Sequence, residues 1–292
     1  MAIAETYTTE ANSRQAVLHA FGPGGPYRPM RECADIFSKR KGIQIQITAG
    51  TPPQWIAAAR QNGDLIYEGA EFMLNDFMRS YPKMLDETSI TGLYVRAAGI
   101  LVRKGNPKGI RKLEDLARNG TKILVVTQEN MQQVYERVAG IHYNLVMPVL
   151  TGLEAVQAWK SKPDLDAWIT YESWHAALKE ETDLVPLNPT EQVLRITPVA
   201  GVRSSKQKQL SREFVSFLQS EEAHNVFRKW GWKCLQHAGP ASGQERATPR
   251  QRKESFPRPF SLKNFSGLAQ KMVLQRVVNF TMRRIWSNRL LN

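Results

Sequence analysis

The sequence predicts an α/β protein built from two successive units of alternating strands and helices. Along residues 16–67, apolar residues alternate with polar ones and then recur every three or four positions, and the same succession returns along residues 92–170. The chain of 292 residues is 42% hydrophobic and 9% aromatic, which suits a buried core and excludes a disordered or fibrous chain. Its two cysteines, Cys33 and Cys234, exclude a scaffold held by disulfides.

The first unit is predicted to hold three strands and two helices. Residues 1–15 are polar and without a hydrophobic period, and we interpret them as a flexible arm. Ile43, Ile45 and Ile47 alternate with glutamines, which is the pattern of a half-buried strand. Strands joined by helices in this order form a parallel sheet with right-handed crossovers. The predicted elements are strand 16–21, helix 30–37, strand 43–47, helix 54–61 and strand 64–67.

The second unit continues the alternation and is followed by two further helices. The apolar run 123–127 lacks polar alternation, as is typical of a strand that is covered on both faces. Amphipathic helices are predicted at 208–219 and 221–230, and Gly231 ends the second one. The other predicted elements are strand 92–103, helix 113–119, helices 131–138 and 153–160, strand 167–170, and strands 184–187 and 196–202.

The positive charge is concentrated at the carboxyl end of the chain. Of the net charge of +13, residues 236–292 contribute +9, with 11 Lys and Arg against 2 Asp and Glu. The body carries about +4 and predicts no nucleic-acid partner. Beyond a linker that reaches Pro259, a basic amphipathic helix is predicted. This tail is either a contact for a membrane surface or nucleic acid, or an extension without a selected function.

Neither a membrane helix nor a secretory signal is predicted. The longest uncharged stretch, 42–59, contains three Gln and two Pro. Residues 1–14 lack the basic and apolar regions of a signal peptide. From these residues alone we expect no export, and therefore a cytoplasmic protein if Met1 is the true start.

Three loops at predicted strand ends have the character of an anion site. In 22–26, three glycines allow backbone amides to approach a ligand, while 49–53 contains the hydroxyl of Thr51 and leads into a helix. The third loop is 69–71. The carboxyl ends of parallel strands meet at one rim of the sheet, so we expect the loops to gather there. The alternative is that each loop is only a turn.

Polar residues elsewhere in the second unit add candidates for the site. Arg96 interrupts an apolar strand, where a charge either faces a ligand or forms an internal salt bridge. Thr170 and Tyr171 follow a strand end, where they either contact a ligand or only pack. The five histidines have no metal-ligand spacing, and no nucleotide or hydrolase motif is present. We therefore predict no catalytic residue, metal or cofactor; an enzyme would have to use Glu71 or Tyr171.

Seven collinear segments make the chain resemble a known family. It is similar to the type II periplasmic substrate-binding proteins, in the molybdate- and sulfate-binder-like branch that includes the accessory colonisation factor family. The resemblance covers about residues 16–235. The matching segments are FGPGGP (21–26), AGTPPQW (49–55), DLIYEGAE (64–71), ILVRKGNP (100–107), LEDLARNGTKILVV (113–126), DAWITYESWH (166–175) and FLQSEEAHNVFRKWGW (217–232).

The resemblance implies two α/β lobes, each a mixed sheet flanked by helices, joined by two hinge strands that close on a ligand. Lobe one would comprise about 16–95 plus 195–235, and lobe two about 96–194, within a solute-binding domain of 16–235. The tail, 236–292, lies outside the resemblance. The implied ligand contacts are Gly24, Gly25, Thr51, Gln54, Ala70, Glu71, Arg96, Thr127, Thr170 and Tyr171.

The resemblance also implies a function and partners. We expect a monomeric periplasmic protein that is not an enzyme. It would carry a small ligand to a membrane ABC permease, and an oxyanion such as molybdate or sulfate is the favoured ligand. The alternative is a ligand sensor or regulator whose basic tail contacts nucleic acid or membrane. The chain departs from the family at 127–131, where Thr, Gln, Glu, Asn and Met replace the usual glycine-rich loop with small hydroxyl residues.

Overall fold

The computed structural model describes residues 4–8 and 16–234, which form a mixed α/β fold. Within these residues the strands are β1 (Glu5–Thr8), β2 (Val17–Gly22), β3 (Gln44–Ala49), β4 (Leu65–Tyr67), β5 (Thr91–Arg103), β6 (Ile123–Val126), β7 (Leu145–Val149), β8 (Ala167–Tyr171), β9 (Thr182–Pro186) and β10 (Leu194–Gly201). These ten strands of the described part of the chain join in one continuous hydrogen-bonded arrangement, in the order β1-β3-β2-β4-β10-β5-β8-β6-β7, with β9 paired to β5. The predicted fold class is confirmed.

In the part of the chain that the structure describes, eight α-helices cover the sheet. They are α1 (Tyr27–Lys41), α2 (Pro52–Asn62), α3 (Glu71–Ser80), α4 (Gln132–Tyr135), α5 (Gly152–Ser161), α6 (Glu172–Ala177), α7 (Lys208–Leu218) and α8 (Glu221–Lys229). Helix α1 ends where Gly42 takes a left-handed conformation, φ 65°, and its amide bonds the Ser38 carbonyl.

The helices and strands separate into two lobes by their cores. The first, lobe one, contains β1–β4, α1–α3, α7 and α8, and buries one core on each face of its sheet. Around Phe214, the first core packs α1, α7 and α8; around Trp55, the second packs α2 and α3. The other, lobe two, has a single core, with Trp159 and Trp168 fully buried.

Two antiparallel strands, β5 and β10, connect the lobes. The first part of β5 pairs with β10, with Arg96 opposite Arg195, and its last part pairs with β8 and β9 in lobe two. The pairing of β10 with β4 continues the sheet of lobe one. Each strand therefore belongs to both lobes, which positions their facing edges against each other.

Some elements differ from the sequence prediction. The prediction of a flexible arm is wrong at Glu5–Thr8, where β1 pairs antiparallel with β3. This pairing depends on a sheet edge that is distant in sequence, which local composition does not reveal. The predicted helix 113–119 is a 3-10 helix at Leu113–Ala117, and the predicted helix 131–138 shortens to α4. Helix α3 and strand β7 were not predicted. The tail, 236–292, lies outside the described residues.

Candidate functional site

A cleft lies between the lobes at the carboxyl ends of the parallel strands. One cavity of this cleft, the central compartment, has a volume of about 310 Å³ and is lined by both lobes. Lobe one contributes the loops after β2, β3 and β4, and lobe two contributes the loop after β6 and the start of α5. This size lies at the lower end of the range for small-molecule sites.

A second cavity, the side compartment, adjoins the first and has a volume of about 510 Å³. The two share Pro23, Thr51 and Gln128 among their walls. Two carboxyl groups, those of Glu68 and Asp76, line the side compartment. Burial raises the pKa of Glu68 to about 8, so this carboxyl is mostly protonated at neutral pH.

Two glycines of the loop after β2 allow the lobes to approach each other closely. A Cβ on Gly24 would lie 2.6 Å from Cγ of Leu153 in lobe two. One on Gly25 would lie 2.9 Å from Nη1 of Arg96. Larger side chains would therefore either hold the lobes apart or occupy the space beside Arg96.

Arg96 is a buried cation in the wall of the central compartment. Its guanidinium lies 3.8 Å from the ring centroid of Tyr171, and Nη2 donates a 2.5 Å hydrogen bond to the carbonyl of Gly69. The side chain is 3% exposed, and its buried Nε has no hydrogen-bond partner among the described residues. Burial lowers the pKa of Arg96, while neighbouring ionisable groups oppose that shift. The guanidinium nevertheless stays charged, since arginine holds its proton even in apolar surroundings.

Glu129 is a buried carboxylate in the same compartment. Its Oε1 accepts a 2.7 Å hydrogen bond from Nε1 of Trp174, and its Oε2 accepts a 2.5 Å bond from the hydroxyl of Thr170. Burial raises the pKa of Glu129, and the charge of Arg96 together with these two hydrogen bonds opposes that rise. The central compartment thus contains Arg96 beside a hydrogen-bonded Glu129, and the carboxyl groups of Glu5 and Glu154 line the same compartment.

Three helices begin at the cleft, and their first turns differ. The side chain of Gln54 bonds the amide of Thr51 at 2.6 Å before α2, and that of Glu154 bonds the amide of Thr151 at 3.1 Å before α5. Helix α1 follows Pro26, which makes no side-chain capping bond. The amino-terminal turn of α1 therefore has no side-chain acceptor at its cap position, which suits an anion.

The structure gathers half of the sequence-predicted contacts in the central compartment. Five line it, and Thr127 lines the side compartment. The five are Gly24, Gly25, Thr51, Gln54 and Arg96.

The other four predicted contacts support the walls instead. Tyr171 lies beneath Arg96, and Thr170 is fully buried with its hydroxyl on Glu129. Ala70 is buried before α3. The carboxylate of Glu71 accepts hydrogen bonds from Arg195 and from the Ile196 amide of β10, so it ties α3 to a connecting strand.

Residue-level reasoning missed most of the wall that lobe two provides. Glu129 and Leu153 line the central compartment beside Gln128 and Glu154; Trp174, whose aromatic surface the sequence did suggest, lies with them. The available signal was the position of 127–131 directly after a buried strand, where ligands of open α/β sheets bind. Which side chain of that loop turns inward depends on its backbone, which a sequence pattern does not show.

Two global features bear on function. Among the described residues, no helix combines the length and hydropathy that crossing a bilayer requires. Within the same part of the chain, no three His, Cys, Asp or Glu side chains come together in an arrangement that would hold a metal ion.

Two α/β lobes, joined by two strands around a polar cleft, define a solute-binding protein of the two-lobed type. The chain belongs to the bacterial extracellular solute-binding protein family, whose model matches residues 18–233. This confirms the family predicted from the sequence. No curated protein matches the chain by sequence.

Several solved structures share the fold of this chain. Peb3 from Campylobacter jejuni is 24% identical, with a TM-score of 0.65 over 74% of this chain and 99% of Peb3. The sulfate-binding protein SubI from Mycobacterium tuberculosis is 20% identical, with a TM-score of 0.64 over 76% of this chain and 88% of SubI. The substrate-binding domain of a putative molybdenum ABC transporter from Clostridium difficile is 16% identical, with a TM-score of 0.59 over 75% and 99%.

Proposed function

We propose that this protein captures a small solute bearing an oxyanion group in the central compartment, and delivers it to a membrane ABC permease outside the cytoplasm. The observation that carries the proposal is the buried guanidinium of Arg96, whose Nε has no partner among the described residues. A buried donor without an acceptor costs stability, and a bound carboxylate, phosphate or sulfate group would satisfy it.

The charges around Arg96 support an anionic ligand. Of the three nearby carboxyls, Glu68 is mostly protonated at neutral pH and Glu71 is engaged by Arg195, 3.3 Å away. Glu129 lies beside Arg96; burial raises the pKa of Glu129, whereas the charge of Arg96 and the hydrogen bonds from Thr170 and Trp174 favour its ionised form. The uncapped start of α1 adds positive potential at the same cavity. Of these three carboxyls, Glu129 is therefore the one that competes with an anionic ligand for Arg96.

The contacts between the lobes support ligand-induced closure about β5 and β10. Nη1 of Arg28 donates to the carbonyl of Ala177 at 3.2 Å, and Nζ of Lys233 lies 2.9 Å from a carboxylate oxygen of Glu172. Both pairs connect lobe one, or the segment that follows it, to α6 of lobe two. We infer that a ligand touching both lobes favours this closed arrangement, which a permease would recognise.

The fold alone leaves the ligand open. A structure of PEB3 contains L-phospholactate, SubI is a sulfate-binding protein, and a periplasmic thiamin binding protein shares the fold at 12% identity. Molybdate or sulfate, the ligands favoured from the sequence, therefore stay a prediction. The side chains that line the cleft, rather than the fold, determine the ligand class.

The proposal is tested by calorimetric titration of the full chain with molybdate, sulfate, phosphate and small carboxylates. We expect saturable binding of one class, and a loss of about tenfold to a hundredfold in affinity for Arg96→Met, the range for hydrogen bonds to a charged group. The matched control is Arg103→Met, because Arg103 also lies on β5 and 3.8 Å over an aromatic ring, that of Trp159, but outside the cleft. Unchanged affinity in Arg96→Met, or no binding by the folded protein, would refute the proposal.

A further inference from the structure

Glu129 stands out among the carboxyl groups that line the central compartment, because it is the most buried of them and lies next to Arg96. Residues 127–129 form a short 3-10 helix that ends at Asn130, whose backbone is left-handed with φ 52°. Within this loop Thr127, Gln128 and Asn130 are exposed, whereas Glu129 is 7% exposed and turns into the protein. The side chain of Glu129 thus points inward because the turn directs it there and because Thr170 and Trp174 bond its carboxylate.

The hydrogen bonds of Glu129 leave it able to accept more. Each carboxylate oxygen has two acceptor positions, and the structure uses one on each, for Trp174 at 2.7 Å and for Thr170 at 2.5 Å. The indole N–H of Trp174 can only donate, so Glu129 acts as an acceptor towards it. A ligand atom that comes close to Glu129 is therefore favoured when it is a donor and disfavoured when it is a bare oxyanion oxygen.

The remaining walls favour an organic ligand. Apolar side chains of Leu150, Leu153 and Met73 line the same compartment, and Leu150 is 50% exposed there. These surfaces offer no hydrogen bonds to a tetrahedral inorganic oxyanion, whereas a short carbon skeleton would cover them and remove apolar surface from water.

We propose that Glu129 is a specificity-determining residue that selects small organic acids carrying a hydroxyl or amino donor next to the acidic group. The inference rests on the proposed function, since Arg96 has to hold the acidic group. The donor then bonds Glu129, and the carbon skeleton lies against Leu150 and Leu153. For an amino acid, the carboxylate of the ligand would lie against Arg96 and its ammonium group against Glu129.

Three ligands of equal carbon number test the proposal on the full wild-type chain. Propionate has no donor, lactate adds a hydroxyl and alanine adds an ammonium group; sulfate serves as the inorganic comparison. We expect lactate or alanine to bind at least about tenfold more tightly than propionate and sulfate, which corresponds to about 1.4 kcal/mol. Because this ratio is measured on the wild type, it does not depend on the folding of any variant.

Glu129→Gln then assigns the selectivity to this side chain. Gln keeps the shape and an acceptor for Trp174 but adds a donor, so we expect the ratio between lactate or alanine and propionate to fall by about tenfold. The matched control is Glu180→Gln, which removes an exposed carboxylate from lobe two and leaves the ratio unchanged. Thermal unfolding shows that each variant is folded.

The possible results separate this inference from the proposed function. Equal or tighter binding of propionate or sulfate by the wild type would overturn the role of Glu129 while the proposed function stands. The same holds if Glu129→Gln is folded and keeps the wild-type ratio. Absence of binding for every probe, from a cooperatively folded protein, would overturn the proposed function and this inference with it.

Discussion

The buried carboxyl of Glu68 predicts a specific pH dependence of stability. Burial is the largest cause that raises the pKa of Glu68 from 4.5 to about 8, and the charge of Asp76 raises it further. The backbone amide of Gly69 and the charge of Arg96 lower it. The folded state therefore binds a proton more tightly than the unfolded chain does. The contribution of Glu68 to stability is therefore fully present below pH 4.5 and is lost as the pH rises to about 8, because in this range the unfolded chain releases the proton that the folded protein retains.

Replacing Glu68 by Gln should remove this loss. A pKa rise from 4.5 to about 8 corresponds to an upper limit of roughly 5 kcal/mol above pH 8, and relaxation around the charge reduces it. We expect Glu68→Gln to gain stability over the wild type as the pH rises, by about 1 kcal/mol or more at alkaline pH and by little near pH 5.

Urea unfolding of the full chain at about pH 5 and about pH 8.5 measures this difference. Glu180→Gln is the control, since Glu180 is exposed and its replacement should change stability equally little at both pH values. The reasoning would be refuted if Glu68→Gln differed from the wild type by the same amount at both pH values, or if it were the less stable protein at alkaline pH.

Two substitutions of glycine test the packing of the cleft. In Gly152→Ala the new Cβ would lie 2.2 Å from Cζ2 of Trp174, so we expect a loss of about 1–3 kcal/mol in urea unfolding; an unchanged midpoint would contradict this packing. In Gly25→Ala the new Cβ would lie 2.9 Å from Nη1 of Arg96, a flexible end that can move, so we expect weaker ligand binding at nearly constant melting temperature. Equal affinity for the ligand that the wild type binds would show that the space beside Arg96 is not used.

The order of strands and helices could be read from the sequence because it depends on local periodicity. The apolar run of β6 and the alternation in β3 predict strands whatever surrounds them. Strand β1 and helix α3 were missed for different reasons. The first depends on the edge of β3, and the second carries its core contacts at only two fully buried positions, Leu74 and Phe77.

The candidate site was predictable in its loops but not in its side-chain directions. Loops after parallel strands must meet at one rim, so the glycines and Thr51 were correctly expected to lie together. Thr170 lies near the end of β8, yet its hydroxyl turns to Glu129 rather than to the compartment. Only the packing of lobe two decides that direction.

By itself, the sequence determined the class of this protein, because hydrophobic period, turn residues and seven collinear segments are local properties of the chain. The tertiary structure alone decided the chemistry of the cleft. It placed Arg96 over Tyr171, joined Glu129 to Thr170 and Trp174, and set the two charges in one compartment. These contacts join residues 41 to 75 positions apart, and burial rather than residue type determines which groups keep a free donor or acceptor.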